Sequence, residues 1–257
     1  MRGVARILLA LFCVLCGAPL LAAGAEDKSY LESLLEERLS GPGYHVTIEG
    51  FEGALSSQAR VARIAIADGE GTWLEIRDAT LDWQRAALLR GRLEVEKLSA
   101  ARITLSRRPK AAKRRFTPEA RAFTLPELPV SVRIGRIEAR EITLGASVLG
   151  APVRGTLAGS ARLDASGGEV LLSARRTDGR RGRLELSARL AREEGRLTLR
   201  LVVDEGPRGV VANLLKIPDR PALLLEMLGN GTAADFAGRF RLASDGAPRL
   251  SGTVRLA

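Results

Sequence analysis

After Cys16 the chain contains no cysteine at all, so residues beyond it can form neither a disulfide nor a thiolate metal site. Histidine occurs once, as His45 between Tyr44 and Val46. With no second histidine or cysteine to work with, it completes neither a zinc site nor a nucleophilic triad, and it reads as a surface or edge-strand residue. Aromatic residues make up only 4% of the 257 residues, too few to build the stacking platforms that single-stranded nucleic acid needs. The glycine stretches "GPG" and "DGEG" lack the spacing that presents a row of amides to a phosphate, and they read as turns. The carboxylates Asp78, Asp82, Glu94 and Glu96 fall on polar positions of alternating stretches rather than as an acid and base pair for glycoside cleavage. Trp73 and Trp83 alternate with polar neighbours as core or rim residues do. The expectation is a protein that is not an enzyme and has no metal and no cofactor.

The net charge of +10 is local rather than spread. Between Arg107 and Ala122, "RRPKAAKRRFTPEARA" holds seven Lys or Arg against one Glu, and Arg2 and Arg6 add two more. The rest of the chain is left near neutrality, which argues against a basic face that tracks phosphates and against a nucleic-acid partner. The run reads as a solvated linker.

At the N-terminus, "MRGVARILLALFCVLCGAPLLAAGA" has basic residues, an apolar run from Ile7, and small residues before Glu26, the layout of a secretory signal. Residues 1–25 are therefore a signal peptide, or a signal anchor if uncut, because Ile7 to Ala25 is long enough to span a bilayer. Next, "DKSYLESLLEERLSGPG" spaces Ser29 and Glu32 as a capping box and lines up Tyr30, Leu31, Leu34, Leu35 and Leu39. That predicts an amphipathic helix within 26–43, which either plugs one end of a sheet or lies near the membrane.

From Tyr44 onward the period becomes two, in "YHVTIEG", "RIAIAD" and "TWLEI". In "RDATLDW" the apolar parity slips by one near Arg77, the mark of a bulge or bend. "QRAALL" and "GVVANLLKI" interrupt the alternation with helical spacing, and the former lets a strand leave the sheet before Leu93 re-enters it. About fourteen strands joined by glycine-containing turns imply consecutive antiparallel pairing. The expected organisation is a β-segment over 44–106, a basic and proline-containing linker over 107–128, and a second β-segment over 129–257. Such a sheet has one apolar face that a second sheet, helices or a ligand must cover. A sheet that curls without closing offers that face as an open trough, whereas a closed sandwich buries it.

The segments "VTIEGFEGALSSQARVARIAIADGEGTWLEIRDATLDW", "ALLRGRLEVEKLSAARITLSRRP" and "FTLPELPVSVRIGRIEAREITLG" resemble the TamB group of the AsmA-like family, specifically up to Gly145 and diffusely after it. The resemblance implies a long curved antiparallel β-meander forming an open groove in the periplasm of a Gram-negative bacterium, anchored at the inner membrane by its N-terminal segment. It implies a role in phospholipid transport to the outer membrane, or in outer-membrane protein assembly and secretion beside a TamA-like outer-membrane barrel, reached through a C-terminal region that this chain lacks. The partners implied are phospholipid acyl chains in a membrane-proximal setting. One-sided apolar positions are the groove candidates: Val46, Ile48, Ile64, Ile66, Leu74 and Ile76 first, then Leu93, Val95, Ile103 and Leu105. Val130, Val132 and Ile134 continue them beyond the linker. Two other readings remain, a secreted β-sandwich that binds or cleaves glycans, and a binder of anionic surfaces through Arg107 to Arg115.

Overall fold

A computed structural model describes residues 32–33, 35–37, 39–53, 56–88, 90–109, 131–232 and 235–256. The leader, Ser29 to Leu31, Leu34, most of the basic run and Val130 lie outside these residues. Twelve strands follow in chain order: β1 His45–Glu52, β2 Gln58–Asp68, β3 Gly71–Trp83, β4 Arg92–Leu105, β5 Ser131–Leu144 and β6 Val153–Asp164. The set continues with β7 Gly167–Arg176, β8 Gly182–Ala191, β9 Arg196–Glu205, β10 Leu223–Gly231, β11 Phe236–Ser244 and β12 Ala247–Leu256. Three short helices punctuate them: α1 Arg85–Leu88, α2 Ala146–Leu149 and α3 Val210–Leu214.

All twelve strands belong to one sheet whose spatial order is the chain order. β1 does not meet β12, so the sheet is curved but open, and among the described residues no second sheet covers it. The count is twelve rather than fourteen because the parity slips are carried inside long strands such as β4 and β5. Eleven steps of about 4.8 Å make the groove about 53 Å long. One pairing departs from the expected antiparallel run: β4 and β5 are parallel, with Val95 opposite Ile134 and Ile103 opposite Ile142. A long connection over 106–130 permits this, since parallel neighbours need a crossover of a dozen or more residues. "QRAALL" lets the chain leave the sheet after Trp83 and re-enter it at Arg92. It forms α1 within a hairpin, after which β4 runs back antiparallel with Trp83 opposite Val95.

The parity slip of β3 is shared by its neighbours. Gly50, Ala62, Asp78, Ala101 and Arg140 fall on one line across β1 to β5, each bracketed by regular pairs such as Glu49 with Arg63 and Phe51 with Val61. Gly50 and Asp78 on that line have φ of 66° and 49°, an unusual conformation inside a strand. Across the line the inward residues change from even to odd numbers or the reverse, as from Ile48 to Phe51 and from Ile76 to Ala79. Since all five strands slip at the same level, register is kept across the line. The crease ends at β5, where the slips become bulges between Ile134 and Ile137 and between Ala139 and Ile142, against an uninterrupted β6.

The free edge of β1 is closed by side chains. Described residues within 32–39 are helical and run antiparallel to β1. Val46 N–H donates to Ser40 Oγ at 2.8 Å, Ile48 N–H to Glu36 Oε1 at 2.6 Å, and Phe51 N–H to Glu32 Oε1 at 2.8 Å. Acceptors one helical turn apart, about 6 Å, match strand donors two residues apart, about 6.8 Å. The longer step from Ile48 to Phe51 straddles the crease. Glu32 thus serves the strand edge, while Ser29, its expected capping-box partner, lies outside the described residues. On the same segment Leu35 and Leu39 are buried with Val46, Ile48, Phe51 and Ile66, so the helix plugs this end of the sheet.

Candidate functional site

Nearly all the candidate groove residues stand on one face, in rows. Ile48, Ile64, Ile76 and Ile103 lie opposite one another across four strands, and Ile142 of β5 extends the row. Val46, Ile66, Leu74 and Leu105 form the next row and continue through Leu144 to Val153. Leu93 and Val95 lie beside Val132 and Ile134 at the far end of β4 and β5. Val46, Ile48 and Ile66 are fully buried in the core that includes Leu35 and Leu39, with Ile64, Leu74 and Leu105 packed against it. The face is therefore roofed by protein over β1 to β3 and the Leu105 end of β4.

Among the described residues nothing roofs the second half. Because the β6 to β11 pairings keep their register, their inner residues stay in straight rows: Leu172 faces Leu186, Leu186 faces Leu201, Leu201 faces Met227, and Met227 faces Phe240. A parallel row runs Leu184, Val203, Leu225 and Leu242. Gly252 continues the first row on β12, where an added Cβ would stand 2.8 Å from the Phe240 ring, so the ring lies across the glycine. Among the described residues no other layer covers these leucines, yet Leu172 and Leu225 are partly buried. Their neighbours on the other face, Leu171 and Leu228, keep 44% and 48% of their surface. The outer face carries Arg183, Glu185, Arg200, Arg239 and Arg241. Sequence reasoning read 129–257 as a β-segment without singling out these residues, and the β10 stretch Leu223–Gly231 was not among its strands.

One rim of the trough is built over. There the β9–β10 connection reaches back past the β7–β8 turn, and Asn213 Nδ2 donates to Leu149 O of α2 at 2.9 Å. Glu205 is buried and its carboxylate accepts the N–H groups of Val210 at 2.8 Å and Ala212 at 3.0 Å, which satisfies the start of α3. Arg176 continues the inner face of β7 and pairs with Asp178 at 2.7 Å, where Asp178 also accepts Arg154 N–H. Burial by itself pushes the Asp178 carboxyl up, but the Arg176 hydrogen bonds and then Arg154 N–H hold it below its ordinary value. Arg107 and Arg108, at the start of the basic run, are tied to the fold: Arg107 pairs with Asp68 and donates to Gly71 O at 2.6 Å, and the exposed Arg108 donates to Val148 O at 2.8 Å.

Elsewhere many polar groups are occupied with each other, although Trp73 Nε1 is buried without a hydrogen-bond partner among the described residues. Ser40 Oγ lies 3.3 Å from His45 Nδ1. Gln58 donates to Asp82 at 2.7 Å, Gln84 to Glu96 at 3.2 Å, and Arg92 pairs with Glu94 at 3.6 Å. Trp73 and Trp83 are both buried, and Trp83 Nε1 donates to Ser56 O at 3.1 Å. Arg77 holds the Glu75 carboxyl below its ordinary value, with Arg63 adding to the effect. Among the described residues no group of three or more His, Cys, Asp or Glu is placed to hold a metal ion, and no helix is long and apolar enough to cross a membrane.

An open amphipathic sheet with one roofed and one unroofed half is the class of architecture these residues define. No protein-family model matches the chain, and no curated protein and no solved structure matches it.

Proposed function

We propose that this chain is a non-enzymatic envelope protein whose trough shelters phospholipid acyl chains on their way between the inner and outer membranes. The observation that carries this reading is the uncovered apolar face of β6 to β12, with Leu172, Leu186, Leu201 and Met227 in one row. Water against such a face is unfavourable by about 25 cal/mol per Å² of apolar surface, and an acyl chain relieves that cost without any directional bond. The lengthwise rows give a chain of methylenes continuous contact across strands. The resemblance to the TamB group and the secretory layout of residues 1–25 support a periplasmic setting beside the inner membrane.

A part in outer-membrane protein assembly is favoured by a separate observation. Among the described residues the two sheet edges differ: β1 is capped by Ser40, Glu36 and Glu32, whereas β12 pairs on one side only, with β11. An uncapped edge is the geometry that accepts an added strand.

Mass spectrometry of lipids retained by protein purified without detergent tests the lipid reading. A photoreactive residue at Leu186 should crosslink to acyl chains, and one at Leu171 on the other face should not. Absence of co-purified phospholipid together with equal labelling from both positions would sink it.

A further inference from the structure

Among the described residues six large apolar side chains are exposed, and two of them are neighbours at the end of α3: Leu214 at 49% and Leu215 at 56%. The same helix buries Ala212 on its other side. Three cations surround the pair, Arg208, Lys216 and Arg220, against the single acid Asp219 within 206–222. The cations do not diverge. Together with Gly150, Asn213 and Asp219 they line one cleft of about 770 Å³ between α2 and α3.

The backbone here is held in a costly shape. Arg208, Lys216, Asp219 and Arg220 all have left-handed φ, at 58°, 52°, 58° and 45°, a conformation that non-glycine residues keep only where surroundings impose it. Those surroundings are present. Glu205 anchors the start of α3, Asn213 ties it to α2, and Arg208 N–H donates to Arg220 O at 2.7 Å. Folding free energy is thus used to display two leucines and three cations outward on the rim where the trough strands end.

We propose that this rim surface docks on an anionic phospholipid bilayer, with Leu214 and Leu215 entering the boundary between headgroups and acyl chains and Arg208, Lys216 and Arg220 meeting lipid phosphates. Apolar side chains at a tip satisfy the interface, and flanking cations on long stems reach headgroup phosphates above it. A soluble anion alone leaves the two leucines unexplained, and an apolar protein partner leaves the cations unexplained. Docking would bring the ends of the inner rows to the membrane surface, which rests on the trough reading for its purpose but not for its test.

The experiment uses the full chain with a photoreactive residue at position 215, or at Leu228 as an equally exposed control, mixed with vesicles of phosphatidylcholine alone or with added phosphatidylglycerol. Position 215 should label acyl chains in the anionic vesicles, with labelling that falls as salt rises, while position 228 should not. Removing two cations in K216Q/R220Q should lower this labelling about 25-fold, at about fivefold per cation near an anionic surface, with an unchanged melting temperature. Equal labelling from 215 and 228, equal labelling of neutral vesicles, or indifference to K216Q/R220Q would overturn the docking proposal. Lipid retained by detergent-free protein and labelled from Leu186 reports on the trough instead, and the rim variants should leave it unchanged, so either idea can fail alone.

Discussion

The carboxylate of Glu36 accepts the backbone N–H of Ile48 at 2.6 Å, so a helix side chain stands where the next strand would otherwise pair. Glu32 and Ser40 repeat the contact one turn away on either side. An edge strand left bare is a template for association, and this device removes the template at β1 alone.

Replacing Glu36 with alanine should therefore do two things. It should cost about 1–3 kcal/mol of stability, the range for orphaning a buried donor, read from urea unfolding. It should also raise the sedimentation coefficient through edge-to-edge pairing. E36Q keeps an acceptor oxygen and should show less of both effects. An E36A protein that stays monomeric and as stable as the parent would contradict the capping role.

Acid should weaken the built-over rim through Asp178. The Asp178 carboxyl titrates below its ordinary value of 3.8 in the folded chain, despite a burial that raises it, because Arg176 and Arg154 N–H bond the charged form. A depressed carboxyl stabilises the fold fully above its unfolded value and loses that contribution as pH falls through the folded value. Melting temperature should thus be level near neutrality and drop below about pH 4. In D178N the neutral-pH stability should be lower and the acid slope shallower. An identical acid slope in parent and variant would assign the effect elsewhere.

At the crease, Gly50 needs both its positive φ of 66° and its bare Cα, since an added Cβ would lie 2.7 Å from Ala62 Cβ. Gly50→Val should destabilise by about 1–3 kcal/mol from backbone strain, with the contact adding to that. Gly246 has a φ of 80° but open space around it, and Gly246→Ala should cost less. Similar melting temperatures for the two variants would argue against the crease as a packed feature.

Much of this was legible because a strand advertises itself locally. Val46, Ile48, Ile64 and Ile66 alternate in the sequence and share a face in the sheet, and the slip in "RDATLDW" marks the point where Asp78 takes its unusual φ. The matching slips at Ala62, Ala101 and Arg140 were harder to read, since each looks like a local irregularity until its neighbours are known. "QRAALL" and "GVVANLLKI" declared their helices by spacing. Nothing near Glu205 announced that it would anchor α3, because Val210 and Ala212 meet its carboxylate only after the chain has turned.

By itself the sequence determined the period of two, the one-sided apolar faces and the places where parity slips, because these depend on backbone geometry within a few residues. Only the tertiary structure decided that β4 and β5 run parallel, that five slips align into one crease, and that Leu35 and Leu39 roof β1 to β3 and the Leu105 end of β4 while the rows through Leu186 and Leu201 stay open. Those outcomes depend on which distant segments pair and which helix reaches which face. Register and coverage are relations between segments, and a periodic pattern within one segment carries no information about its partner.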